Sequence, residues 1–212
     1  ERLFEIVEKN GVVPLAWAEN GFREVSNSQR EIRSPEDMRG LKMRVVGSPL
    51  FNDIFAALGA NPTQMSWADA RPALTTGAVD GQENPLSIYA VSKLHEAGQK
   101  YVTLWHYVAD PLIFAVNRRV WESFAPEDQE IVRQAAIDAS KVGIAAARKG
   151  LTDGDMSLVE EIEGYGVTVT RLTEAERQAF VEATRPVYEK WKDVIGADLV
   201  DLAEESIANR KK

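Results

Sequence analysis

The sequence predicts an α/β fold, and three observations carry that expectation. Short β-prone runs alternate with longer helical stretches along the whole chain, the pattern of helices packed on a sheet. Several of the helical stretches open on recognisable capping residues and close on glycine. Apolar residues make up 44% and charged residues 27%, which is enough apolar surface to build a core and excludes a mostly disordered chain. No internal repeat or low-complexity tract interrupts the pattern. No G-x-G-x-x-G follows a strand, and G-x-x-x-x-G-K-[ST] is absent, so the dinucleotide and P-loop versions of the class are not indicated.

The elements follow in order. Residues 1–9 read as a helix with Leu3, Phe4, Ile6 and Val7 on one side, stopped by Gly11. Val12 to Trp17 is apolar and β-prone, hence a buried strand. Residues 20–33 are polar, carry Arg23, Arg30 and Arg33, and read as a strand pair or an extended segment. Ser34-Pro35-Glu36-Asp37 combines a capping Ser, a Pro at the first helical position and an acid at the third, so one helical turn precedes Gly40. Leu41 to Val46 is a strand, Pro49 to Leu58 a helix ended by Gly59, and Asn61 to Met65 another strand. Ser66-Trp67-Ala68-Asp69 has the S-x-x-D spacing and opens a helix to about Thr76, with Gly77 at its exit. Val79-Asp80-Gly81 is a short extended piece leading into Gln82-Glu83-Asn84-Pro85, and a helix follows from Leu86 to Leu94. Tyr101 to Trp105 and Leu112 to Asn117 read as two strands. Pro126 marks a long helical stretch from Glu127 to about Glu163, with an interruption near Gly150 or Gly154. Val167 to Thr170 is a strand. Thr173-x-x-Glu176 is a second capping box and opens a helix through Ile195. Leu199 to Ala208 forms a last short helix before a frayed Arg210-Lys211-Lys212 tail.

Composition narrows the function. Lys plus Arg is 25 against Asp plus Glu at 33, a net charge of −8, the opposite of a general nucleic-acid binder. The absence of cysteine removes disulfides, thiolate metal sites and cysteine nucleophiles together. The two histidines, His95 and His106, have no partner at metal-ligand spacing, and no G-x-S-x-G elbow occurs. Asp153-Gly154-Asp155 is too short for a calcium loop. A catalytic role is therefore not expected. The chain opens inside a helix, without an initiator Met or a signal peptide's basic and apolar regions, which reads as a processed chain or a part of a longer one.

Three polar or aromatic residues have a bland and a functional reading, and a fourth has the bland one alone. Arg44, inside the strand Met43 to Val46, either faces solvent or projects into a cleft at the strand's carboxyl end. There a guanidinium can hold a carboxylate through two parallel charge-assisted hydrogen bonds. Asn84 is either a turn residue or an amide donor presented from a connection between domains. Trp67 is either a core aromatic or an apolar wall against a ligand. Arg30 reads as a surface charge.

The stretch from Ser34 to Leu86 resembles one family. Arg39-Gly40-Leu41-Lys42-Met43-Arg44-Val45, Gly59-Ala60-Asn61-Pro62-Thr63 and the run from Ala73 through Asp80-Gly81-Gln82-Glu83-Asn84-Pro85-Leu86 are similar to the extracytoplasmic solute-binding proteins of TRAP transporters, DctP type. The likeness continues through Gln99-Lys100-Tyr101 and Asp110-Pro111-Leu112 into the long helix. The combination of D-G-Q-E-N-P-L with G-L-K-x-R-V is specific, whereas either alone is weak.

The resemblance implies a two-lobed, periplasmic-binding-protein-like α/β fold of type II-like kind, with a long hinge-spanning helix and with part of the first lobe absent from these 212 residues. It assigns residues 1–42 to the remaining part of lobe 1 and the crossover, and residues 43–110 to the core of lobe 2 with the ligand-binding motifs. It assigns residues 111–212 to return strands, the long helix and C-terminal helices packing on both lobes. It implies a periplasmic protein made with a signal peptide, which captures an organic acid anion and delivers it to a sodium-coupled TRAP membrane permease. No catalysis, cofactor, metal or nucleic acid is implied, and a monomer is expected. Residue by residue, the resemblance makes Arg44 the carboxylate clamp, Asn84 a donor to the same carboxylate, Arg30 a second arginine reaching the ligand and Trp67 the aromatic wall, with Glu83 near the pocket. Two positions depart from the family pattern: Arg71 stands where Tyr or a similar residue is usual, and Glu31 where Pro is common. Arg71 is expected to face solvent. Trp67 and Trp105 suggest a flat or apolar ligand body, hence a small monocarboxylate, aromatic or hydroxylated, with a sugar acid next. The alternative is a ligand-sensing regulatory domain of similar architecture, which an upstream helix-turn-helix would identify.

Overall fold

Strands β1 (Val12–Asn27), β2 (Lys42–Val45), β3 (Asn61–Gln64), β4 (Gly81–Asn84), β5 (Tyr101–Asn117) and β6 (Thr168–Arg171) form one sheet in the order β3-β2-β4-β1-β5-β6. The computed structural model describes residues 2–210; Glu1 and the Lys211-Lys212 end of the expected tail lie outside the described residues. β2 runs parallel to both β3 and β4, and β5 parallel to β6. Parallel pairs need crossover connections, and those between β2, β3 and β4 are the helices α2 (Pro49–Ala57) and α3 (Trp67–Thr76). The remaining helices are α1 (Arg2–Glu8), α4 (Leu86–Val91), α5 (Arg118–Glu122), α6 (Pro126–Arg148), α7 (Ser157–Gly164), α8 (Glu174–Ile195) and α9 (Ala197–Arg210).

The capping residues act as the sequence predicts. Asp37 accepts the amides of Arg33 and Ser34 at the start of a 3-10 turn over Pro35–Met38. Ser66 accepts the Asp69 amide at the start of α3, and Gly77 ends that helix in the left-handed conformation, with φ 72°. Thr173 and Glu176 form the capping box of α8. The long helical stretch breaks where expected. α6 ends at Arg148, and Gly150, with φ 72°, lies so close to α7 that a Cβ there would meet the Leu158 amide nitrogen at 2.6 Å.

Several expectations need correction; the helix expected to run from Leu86 to Leu94, for one, ends at Val91. Of the two readings of residues 20–33, the strand pair falls and the extended segment holds: residues 20–27 continue β1, which runs unbroken for 16 residues. Tyr101–Trp105 and Leu112–Asn117 belong to a single 17-residue strand, β5, which passes through the left-handed His106 (φ 55°) and through Asp110-Pro111 without ending. The last helix, α9, is longer than residues 199–208.

The chain groups into two compact units, each assembled from three stretches. The first takes the chain up to Arg23 with residues 84–92 and 106–164; the second takes residues 24–83 and 93–105 and the chain from Tyr165 onward. The chain changes unit inside β1, inside β4 and inside β5. Two further crossings, after Ser92 and after Gly164, lie outside strands, and none of the five falls at 42/43 or 110/111. The first unit has a core of Val13, Leu15, Ala16, Trp121 and Ala136, flanked by Phe124, Val132 and Ile137. In the second, Met38, Met43, Val45 and Phe55 are fully buried. α8 is tied to α2 by Lys190 and the Trp191 indole, which both donate to the Asp53 carboxylate, at 2.7 and 2.8 Å.

Candidate functional site

In the second unit the site begins with strand alternation. Met43 and Val45 point into the core, so Arg44 between them emerges on the opposite face of β2. Its register partners are Thr63 on β3 and Gln82 on β4. The side chain is nonetheless buried, at 4% exposure, which excludes the solvent-facing reading. Nε and Nη2 donate to the Met65 carbonyl at 3.0 and 2.8 Å, and the guanidinium lies 5.4 Å from the centre of the Trp67 ring. Carbonyl and ring come from the same connection: Met65 follows β3, Ser66 caps α3, and Trp67 is the first helical residue. The capped helix start therefore fixes the plane of the guanidinium, and the indole face favours the cation. Arginine stays charged when buried, so this is a preoriented cation suited to a carboxylate.

The strand beneath it is held rigidly. Gln82 donates to the Ser26 hydroxyl at 2.8 Å, and that hydroxyl donates to Gln99 Oε1 at 3.0 Å. Gly81 lets β4 approach β1 closely, since a Cβ there would meet the Ser26 carbonyl oxygen at 2.4 Å and Met43 Sδ at 2.8 Å. Glu83, the next residue but one, is fully buried.

The other sequence-predicted residues of this unit fall elsewhere. Arg30 is exposed and donates to the carbonyls of Asp37 (2.9 Å) and Arg39 (2.8 Å), pinning the loop around the 3-10 turn. Arg71 is about half exposed and pairs with Glu96 at 3.5 Å, as expected for a solvent-facing position. Trp105, expected to face a ligand, is instead a core residue: its ring packs on Phe180 at 4.9 Å and edge-on to Phe55 at 6.3 Å. Apolar neighbours on both sides outcompete an aqueous cleft for an indole.

In the first unit, Asn84 ends β4 with 8% exposure, and its Oδ1 accepts from Arg23 Nη2 at 3.2 Å. Arg23 is 4% exposed and donates through Nη1 to Asp110 at 2.5 Å, while Asn20 donates to the same Asp110 oxygen at 2.9 Å. Gly21, with φ 119°, brings β1 against Pro85. Sequence reasoning missed Arg23 and Asp110 because 87 residues separate them. The available signal was that Arg23 and Glu24, opposite in sign, stand side by side within a strand; both are buried. As for metals, Asp155 accepts the amides of Gly150 and Ser157, bridging the α6–α7 break, rather than forming part of an acidic cage.

The sequence matches the family model for bacterial extracellular solute-binding protein, family 7 (DctP), over residues 1–193. The chain belongs to this family. A solute-binding protein of Verminephrobacter eiseniae is 34% identical over 196 residues, which are 92% of this chain and 56% of that protein. The 2,3-diketo-L-gulonate-binding periplasmic protein of Escherichia coli K12 is 32% identical over 204 residues, 94% of this chain and 60% of that protein. Among solved structures, a TRAP periplasmic solute-binding protein from Ralstonia eutropha H16 with bound (S)-2-hydroxy-2-methyl-3-oxobutanoate is 62% identical. Its TM-score is 0.96, covering 98% of this chain and 66% of that one. This DctP chain thus spans less than two thirds of the length of the relatives it matches. Its α/β fold is that of TRAP solute-binding proteins, and the family consists of solute-binding transport proteins rather than enzymes.

Proposed function

We propose that the whole protein captures a small hydroxylated monocarboxylate in the periplasm, in the 2-hydroxy-3-oxo acid class, and delivers it to a TRAP membrane permease. The observation that carries this is Arg44: a buried guanidinium held flat by the Met65 carbonyl and the Trp67 ring. Such a cation offers strong, weakly screened hydrogen bonds to one carboxylate. Within the first unit, Arg23 orients the Asn84 amide through its Oδ1. Trp67, at 38% exposure, retains ring surface for the ligand's carbon skeleton. Arg30 is assigned to holding its own loop. The choice of acid class is supported by the 62% identical Ralstonia protein and its bound ligand. The chain's net charge of −8 gives anions no overall attraction, so selectivity rests on these local groups.

Thermal melting of the full-length protein with 2-hydroxy-2-methyl-3-oxobutanoate, galactonate and succinate tests the reading. A ligand at 100 times its dissociation constant adds about 2.7 kcal/mol. The 2-hydroxy-3-oxo acid is expected to raise the melting temperature most. A larger shift with galactonate moves the substrate class to sugar acids, and no shift with any acid removes the carboxylate reading.

A further inference from the structure

The organic-acid reading puts affinity on Arg44, and Arg44 is in turn held by a helix start that has little else to hold it. Its guanidinium donates twice to the Met65 carbonyl, at 3.0 and 2.8 Å, and lies 5.4 Å from the centre of the Trp67 ring. Met65 and Trp67 flank Ser66, the residue that caps α3. All four belong to the second unit.

α3 has weak support of its own. It is ten residues long, and a helix of that length is marginal in water without packing or caps. Ala70 and Leu74 are its buried residues. Pro72 stands inside it without an amide hydrogen, so the ladder bond that would reach the Ala68 carbonyl, in the first turn, is missing. What closes this turn is local. The Ser66 carbonyl accepts the Ala70 amide at 3.1 Å, and the Ser66 hydroxyl accepts the Asp69 amide at 3.3 Å. The same hydroxyl donates to the Asp69 carboxylate at 2.5 Å, which fixes its direction. A carboxylate in the first turn also suits the positive end of the helix.

We infer that Ser66 and Asp69 are positioning residues for the bound acid: by closing the first turn of α3 they hold the Met65 carbonyl and the Trp67 ring where these orient Arg44, so the cap of this helix sets affinity for the carboxylate. The inference rests on Arg44 as the clamp proposed above and adds what keeps the clamp in place. When the cap is lost the turn frays, and the guanidinium must be reordered as the acid binds, which weakens the complex.

The test is calorimetry on the full-length protein with 2-hydroxy-2-methyl-3-oxobutanoate and with galactonate. Ser66→Ala is expected to weaken binding by about fivefold, the ratio that corresponds to a lost cap, and Asp69→Ala to act in the same direction. Ser66→Thr keeps a capping hydroxyl and is expected to bind within about twofold of wild type. Thr173→Ala is the control. It removes the same kind of cap from α8, in the same unit, and is expected to lower the melting temperature without weakening the acid. Two alanine variants are used so that failure of one to fold leaves the other. Three results overturn the role of the cap and leave Arg44 untouched: alanine variants that bind as tightly as wild type, a Ser66→Thr as weak as Ser66→Ala, or a Thr173→Ala that loses as much affinity. An Arg44→Ala variant that binds as tightly as wild type, or a wild type that binds neither acid, overturns the clamp reading and this inference with it.

Discussion

A guanidinium lying on an indole and bonded to a carbonyl has little conformational freedom left to lose when an anion arrives, and the proposed function makes Arg44 the residue on which affinity depends. Arg44→Ala is expected to weaken the cognate acid by about 2–5 kcal/mol in calorimetry, the usual loss when one partner of a desolvated charge pair is removed. Arg44→Lys is expected to recover little of it, because an ammonium cannot bind a carboxylate through two fixed, coplanar donors. Arg30→Ala tests the opposite assignment. Its guanidinium donates to the Asp37 and Arg39 carbonyls, so the variant is expected to lower the melting temperature by a few degrees. A loss of affinity at unchanged stability would return Arg30 to the ligand. At this scale the sequence revealed residues whose signal is local. Arg44 and Trp67 sit in short motifs with their own caps and strand pattern. Arg23 did not stand out, because what gives it meaning is Asp110, and nothing near Arg23 in the chain announces that partner.

Among the elements, caps were the most legible feature, since a cap is a bond between neighbours in sequence. Thr173→Ala removes the side-chain half of the box that starts α8 and is expected to cost about 1 kcal/mol in chemical denaturation. The 3-10 turn at Pro35–Met38 adds a pH dependence. Burial raises the pKa of Asp37, but the amides of Arg33 and Ser34, the Ser34 hydroxyl and the nearby Arg30 charge together outweigh it, leaving the value below the ordinary 3.8. A carboxyl held low in the folded state stabilises above its unfolded pKa and loses that contribution as the pH falls through its folded one. The wild-type melting temperature is therefore expected to fall on acidification below about pH 4, and less steeply in Asp37→Asn. β4 tolerates little change at Gly81. Gly81→Ala would drive a methyl group into the Ser26 carbonyl, and a loss of about 1–3 kcal/mol is expected. β5 was the least legible element. Pro111 lacks an amide hydrogen and His106 adopts a left-handed backbone, and both ordinarily mark the end of a strand. Only pairing with distant strands keeps β5 continuous.

For the molecule as a whole, the class was legible and the division into units was not, because three of the unit changes fall inside strands, where no linker-like stretch announces them. The two halves of β5 differ in burial: Val102–Trp105 is buried, whereas Leu112 and Phe114 stand exposed at 45% and 41%. Hydrogen exchange on this chain is expected to show slow amides over residues 102–105 and faster ones over residues 112–117, since local opening follows burial. Equal protection along β5 would show that the strand opens as one piece. Five indoles give the molecule its ultraviolet emission, and one of them, Trp67, lies against the very cation assigned to the ligand. An acid that draws the Arg44 guanidinium toward itself alters the field at that ring. If Arg44 is the clamp proposed above, emission spectroscopy without any attached dye is expected to report occupancy.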